Sequence, residues 1–110
     1  MAATPKEFME LLKAKLKEKP EAGKDVNAVY QFVIEGESGG DWWVDLTKSP
    51  GEIGDGKNAG AGCIITMEAA DFVAMMKKEA NPMVLFMSKK LKVDGDLTLS
   101  LKLQSVLNLL

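Results

Sequence analysis

Four aspartates and one thiol are the first residues in this sequence that chemistry could use. Asp41, Asp45, Asp71 and Asp94 are spread through the chain, and no two share a spacing that sets one as acid beside the other as base. They read as helix caps and solvated faces. Cys63 is the single cysteine, which excludes an internal disulfide and any multi-cysteine metal site. It stands where an alternating strand expects a small apolar residue, so it reads as a buried structural thiol. Histidine is absent, which removes the commonest general base and metal ligand together with every Ser–His or Cys–His pair. No catalytic residue, metal set or cofactor is therefore assigned, and the chain is expected not to be an enzyme.

Gly51-Glu52-Ile53-Gly54-Asp55-Gly56-Lys57-Asn58 has the spacing of a phosphate-binding loop, but Asn58 stands where a Ser or Thr would hold magnesium. Such a loop must also run into a helix whose free amides meet the phosphates. Here Ala59-Gly60-Ala61-Gly62 leads toward a strand, so the stretch reads as a connection. All 14 cations are lysine, against 16 carboxylates, and the chain has no arginine for bidentate phosphate or guanine contacts. Nucleic acid is not an expected partner. Lys77, Lys78, Lys89, Lys90 and Lys92 read either as solvated surface or as a basic patch for anionic headgroups, which allows transient contact with a membrane surface.

The elements that must position these residues follow from periodicity. Thr4-Pro5-Lys6-Glu7 is a helix start, with Thr4 as cap and Pro5 in the first turn. Phe8, Leu11, Leu12 and Leu16 recur at helical spacing until Lys19-Pro20. From Val26 to Ile34 the even positions are apolar, which predicts a strand. Glu37-Ser38-Gly39-Gly40-Asp41 turns the chain, and Trp42 to Leu46 alternates again, so the two should form an antiparallel hairpin. The glycine-rich stretch from Ser49 to Gly62 reads as a looser connection, and Cys63 to Thr66 as a short strand paired with its predecessor. Thr66 or Glu68 opens a second helix with Phe72, Met75 and Met76 on its core face, ended by Asn81-Pro82.

Met83 to Met87 reads as a short helix or turn and Leu91 to Asp94 as a strand. The tail from Leu97 to Leu110 fits both periods, but the capping Asp96 and the absence of a turn signal favour one helix. Met67, Met75, Met76, Met83 and Met87 fall within 21 residues beside Phe72 and Phe86. Unbranched thioethers fill irregular space and repack around guests of varied shape, so this cluster is either core or a lipid box. No run approaches the roughly 18 apolar residues of a membrane span, and the start of the chain shows no leader. A single domain spanning residues 1–110, cytoplasmic in location, is the expectation.

In combination, several segments of the sequence resemble the sterol carrier protein 2 (SCP-2) domain. They are Tyr30-Gln31-Phe32-Val33-Ile34, Gly40-Asp41-Trp42-Trp43-Val44-Asp45-Leu46 and Ile64-Ile65-Thr66-Met67 leading to Asp71-Phe72. Asn81-Pro82, Phe86-Met87, Leu91-Lys92-Val93-Asp94-Gly95-Asp96 and Leu101-Lys102-Leu103-Gln104 follow in order. The resemblance implies an α/β (α+β) fold whose five-stranded, largely antiparallel sheet carries helices across one face, with an apolar tunnel between them. It implies a non-enzymatic carrier of fatty acid, fatty acyl-CoA or sterol. The alternative is an accessory module that presents acyl groups to a partner enzyme or dimerises through its tail; a monomer or weak dimer is expected.

By the same resemblance the tunnel wall would take Phe8, Leu12 and Leu16 from the first helix and Phe32 from the sheet. Phe72, Met75, Met76 and Phe86 would continue it, and Leu101, Val106 and Leu107 would close it from the tail. Lys15 or Lys24 would meet a carboxylate headgroup. Two departures stand out: Lys78-Glu79 and Lys89-Lys90 occupy places where the family usually has Gly-Lys, so the turns bordering the tunnel mouth are expected to change. The ending Asn108-Leu109-Leu110 also differs from the Ser-Lys-Leu type of peroxisomal address, so that address is not expected to apply.

Overall fold

The computed structural model describes residues 4–21, 23–48 and 50–108, without the side chains of residues 103 and 106. Helix α1, Pro5–Glu18, begins where the capping signal places it: Thr4 Oγ1 accepts from the Glu7 amide at 3.3 Å. Its apolar stripe of Phe8, Met9, Leu12 and Leu16 is buried, and the lysines of its last turn suit the negative end of the helix dipole. Strand β1, Val29–Glu35, and strand β2, Gly40–Asp45, form the expected antiparallel hairpin, with Phe32 opposite Trp42 and Tyr30 opposite Val44.

The stretch read as a loose connection contains a strand of its own. Glu52–Asp55 is β3, antiparallel to β2, and its Gly54 lies under the Trp43 ring, where an added Cβ would stand 2.3 Å from the ring. No helix follows it; the chain runs on into β4, Cys63–Glu68. This corrects the pairing expected of β4. Because β3 occupies the outer edge of β2, β4 crosses to the free edge of β1 and lies parallel to it, with Tyr30 beside Cys63 and Phe32 beside Ile65. The last strand, β5, Leu91–Gly95, is antiparallel to β4. The order is β3-β2-β1-β4-β5, an α+β sheet that is antiparallel except for its central pair.

Alternation assigns the faces. Tyr30, Phe32, Ile34, Val44, Cys63, Ile65, Met67 and Leu91 share the helix-covered side and are buried. On the opposite side, Gln31 is buried by a polar arrangement: its Nε2 donates to the Trp42 and Gly56 carbonyls at 3.1 and 2.9 Å. Its Oε1 accepts from the Asn58 amide at 2.7 Å, which pins the β3–β4 connection to the sheet. Helix α2, Ala69–Met76, packs through Phe72, whose ring meets that of Phe32 edge-on at 5.8 Å. Helix α3, Pro82–Met87, is capped by Asn81, whose side chain accepts from the Met83 amide at 2.8 Å.

The tail is not one helix. Asp96 caps as expected, accepting from the Thr98 amide, but α4, Leu97–Leu101, and α5, Leu103–Leu107, are separated at Lys102. The bonds Lys102 N–H to Leu99 O and Ser105 N–H to Lys102 O span three residues, so the backbone tightens there instead of continuing the α-helical ladder.

Lys78 and Lys89 bracket α3 with φ of 65° and 63°. The left-handed turns are thus kept, although lysine replaces the expected glycine at each. A non-glycine residue in this region costs about 1 kcal/mol or more, partly offset by glycine's greater freedom in the unfolded chain. Lys89→Gly is expected to raise stability by about 0.5–1 kcal/mol, a few degrees in a thermal melt. An unchanged or lowered melting temperature would show that the strain at Lys89 does not exceed the entropic cost of the glycine.

Candidate functional site

The site grows from the way α4 is held. Gly95 ends β5 at φ 102°, and a Cβ there would lie 2.6 Å from the Gly62 carbonyl oxygen, so only glycine fits this close approach. The same Gly62 carbonyl accepts the Asp96 amide at 3.0 Å. From the sheet, the fully buried Tyr30 donates its hydroxyl to the Leu99 carbonyl at 2.5 Å, across 69 residues of sequence. Leu99 therefore faces the sheet, and its side chain packs beside Gly62.

With Leu99 turned inward, the helix presents a different stripe outward. Leu97, Ser100 and Leu101, with Gln104 from the next helix, follow the spacing i, i+3, i+4, i+7. Together they form one wall of a cavity of about 390 Å³. Met83 and Phe86 of α3 form the facing wall, and Asn81, Pro82 and Leu91 close it. The volume lies within the range of about 300–1,000 Å³ typical of small-molecule sites. Among the described residues nine line the cavity, six of them apolar and none charged. All three polar ones already have local partners: Asn81 Oδ1 accepts from the Met83 amide at 2.8 Å, Ser100 Oγ donates to the Leu97 carbonyl at 2.6 Å, and Gln104 Nε2 to Asn108 Oδ1 at 3.2 Å. A second recess of about 250 Å³ shares Asn81 and Gln104 with the first and is lined also by Met75, Lys78, Glu79, Ala80 and Leu107.

The residues expected at a tunnel wall fall into three groups. Phe86 and Leu101 line the main cavity, and Met75 and Leu107 line the adjoining recess. Phe8, Leu12, Leu16, Phe32, Phe72 and Met76 are buried in the core behind these spaces. The Val106 side chain lies outside the described residues. Neither Lys15 nor Lys24 lines either space: Lys15 pairs with Glu18 at 3.7 Å on α1, and Lys24 is exposed in the turn before β1. The sequence reading took Leu101 from this wall but omitted Leu97, Ser100 and Gln104 on the same stripe, and Asn81, Pro82, Met83 and Leu91 opposite and beside it. The stripe beginning at Leu97 is present in the same residues, and it is turned outward where the other, through Leu99 and Leu107, packs on the core and Tyr30 holds the Leu99 carbonyl.

Tyr30 and Cys63 are neighbours in the parallel pair, and both titrate abnormally. Burial, and secondarily the charge of Asp96, pushes the Cys63 thiol up to about 11; burial raises the Tyr30 phenol above its usual range, helped by Cys63 and Asp96. The phenol thus stays protonated and able to donate to Leu99. Among the described residues no group of three or more His, Cys, Asp or Glu is placed to hold a metal ion, and no helix is long and apolar enough to cross a membrane.

This is a small α+β domain that keeps an apolar cavity between a sheet edge and short helices. Residues 7–108 match the profile of the SCP-2 sterol transfer family. The chain is 40% identical over 88 residues to hydroxysteroid dehydrogenase-like protein 2 of Xenopus tropicalis, a match that covers 79% of this chain and 21% of that protein. Among solved structures, Sterol Carrier Protein 2 from Yarrowia lipolytica in its apo form superposes with a TM-score of 0.79 at 26% identity, over 92% of this chain and 87% of that one. Palmitated SCP2L2 from Aedes aegypti superposes with a TM-score of 0.78 at 25% identity, over 96% and 95% of the two chains. The chain belongs to the SCP-2 sterol transfer family. It spans about a fifth of the length of the curated relatives it matches.

Two outcomes test the hold on α4. Tyr30→Phe removes one hydrogen bond, so it is expected to cost about 1 kcal/mol and to speed amide exchange in α4 more than in β1 or β4; uniform exchange would show that the hydroxyl does not hold the helix. For pH, the folded state keeps its thiol proton up to about 11, whereas the unfolded thiol loses it near its ordinary value of 9. Between these values the unfolded state binds fewer protons, so stability falls as pH rises. Urea melts should therefore show constant stability below about pH 9 and a decline toward pH 11, part of which disappears in Cys63→Ala.

Proposed function

We propose that this chain binds a single lipid, a fatty acid, fatty acyl-CoA or sterol, in the apolar cavity between α3 and α4 and carries it without altering it. The observation that carries this reading is the wall itself, mostly apolar on two facing helices and, among the described residues, free of charged side chains. A group transferred to such a wall gains about 0.8 kcal/mol per methylene, so a sixteen-carbon chain gains roughly 10 kcal/mol, less several for association and ordering. Affinity in the micromolar range or better follows. Family membership and the likeness to a palmitated relative support the reading.

Phe86 and Leu101 are then the first side chains a guest meets, and Met75 and Leu107 bound the space it enters next. Phe8, Leu12, Leu16, Phe32, Phe72 and Met76 are the deeper apolar layer that a longer guest reaches by repacking the thioethers. We place a carboxylate headgroup near Lys78, which lines the recess, in preference to Lys15 or Lys24, which do not.

The length of the curated relatives, and their description as dehydrogenase-like, favour a second reading in which the domain holds its guest for a partner enzyme. Native mass spectrometry followed by organic extraction, together with titration of a fluorescent fatty acid, tests both. Uptake by the chain alone, reduced at least about tenfold by Phe86→Asp or Leu101→Asp because each sets an unpaired charge against the guest, is the expected result. Absence of uptake by the isolated chain overturns the carrier reading.

A further inference from the structure

Six of the seven methionines lie among the described residues, and they divide into two groups. Met9, Met67, Met75 and Met76 are at most 4% exposed, whereas Met83 is 46% and Met87 74% exposed. Both exposed thioethers belong to α3, at positions i and i+4. Of the two, Met83 lines the cavity and Met87 does not. The cysteine sulfur is closed to an oxidant: Cys63 is fully buried, and burial holds its thiol protonated up to about 11, so the reactive thiolate is absent at neutral pH. A thioether has no proton to lose, and access of the oxidant decides which methionine reacts.

We propose that Met83 is an oxidation site that controls the cavity: a peroxide converts its thioether to the sulfoxide, and the sulfoxide weakens the hold on a lipid guest. The sulfur lone pair attacks one peroxide oxygen, and the S–O bond forms as the O–O bond breaks. The proton of the transferred oxygen passes to the departing hydroxide, which leaves as water. Sulfur is oxidised by two electrons and the peroxide is reduced by two.

The effect on binding follows from the wall. Oxidation turns a flexible apolar side chain into a polar one. The three polar side chains of the wall, Asn81, Ser100 and Gln104, are all bonded locally. An acyl chain that covers the sulfoxide oxygen therefore strips it of water without giving a hydrogen bond in return, a penalty of about tenfold in affinity. Met87 supplies the contrast, being on the same helix and more exposed but off the cavity. The inference rests on the carrier reading and adds its regulation: an oxidant sets the carrier to release its guest, and reduction of the sulfoxide resets it.

The test treats the full chain with hydrogen peroxide, maps sulfoxides by peptide mass spectrometry and titrates a fluorescent fatty acid before and after. It compares the wild type with Met83→Leu and Met87→Leu, since leucine keeps an apolar side chain of similar volume and has no sulfur. Sulfoxide is expected at Met83 and Met87 ahead of the four buried methionines. Affinity should fall about tenfold in the wild type and in Met87→Leu. Met83→Leu should keep the affinity of its own untreated sample, and methionine sulfoxide reductases for both epimers should restore the wild type. Preloading with hexadecanoic acid should slow oxidation at Met83 and leave Met87 unchanged. Oxidation of the buried methionines first, unchanged affinity once Met83 is oxidised, an equal fall in Met83→Leu, or a rate at Met83 indifferent to preloading would each overturn the inference and leave the carrier reading standing. No uptake by the untreated chain overturns the carrier reading and this control with it.

Discussion

The parallel pairing of β1 with β4 is the constraint on which the rest of the molecule depends. It places Cys63 beside Tyr30 and Ile65 beside Phe32 in the middle of the sheet, where strands covered by helices on one side supply the largest buried apolar residues. A parallel neighbour cannot be reached by a tight turn, so the chain must first spend β2 and β3 on one edge and return across the sheet. That return leaves β4 with a free edge, which β5 fills, and the chain leaves β5 at Gly95, directly beside Cys63 and one strand from Tyr30. The Tyr30 hydroxyl meets α4 because of this route. The orientation of α4, and with it the apolar wall, is thus a consequence of sheet topology more than of any preference within the tail.

The antiparallel hairpin, α1 with its cap, and the start of α2 were legible in the sequence because each rests on local signals: alternation, a Thr-Pro-Lys-Glu start, a proline that stops a helix. The combination of landmarks also carried the family and its sheet. What escaped had a long-range cause. β3 holds four residues, three of them neither β-branched nor aromatic, and its place is fixed by Trp43 lying over Gly54 and by Gln31 binding Gly56 and Asn58, contacts that no periodicity announces. Placement of β4 beside β1 could not be read before β3 was known to occupy the other edge.

In the tail, two stripes compete within the same residues, one through Leu99 and Leu107 and one through Leu97, Ser100, Leu101 and Gln104. Both are compatible with a helix, and hydrophobicity alone favours the first for the core, as observed. The second stripe holds two polar residues and two leucines, which reads as an ordinary half-solvated face until α3 is found opposite it. The cavity is therefore a property of two short helices facing each other across the end of β5, and neither one implies it separately.

These helices also differ from the remainder of the fold in what stabilises them. With five or six residues each, α3, α4 and α5 fall well below the length of about 12 at which a helix is marginal in water. They persist through the Asn81 and Asp96 caps, the Tyr30 bond and a few anchors such as Leu85 and Leu107, while α3 also bears a strained lysine turn at each end. The sheet and α1, by contrast, rest on a continuous apolar core. Local opening free energies should follow this division, lowest where the exposed leucines and methionines surround the cavity. A wall built from weakly held helices over a rigid sheet can separate to admit a guest and close over it, and the apolar surface so removed from water stabilises the closed state in proportion to the guest bound.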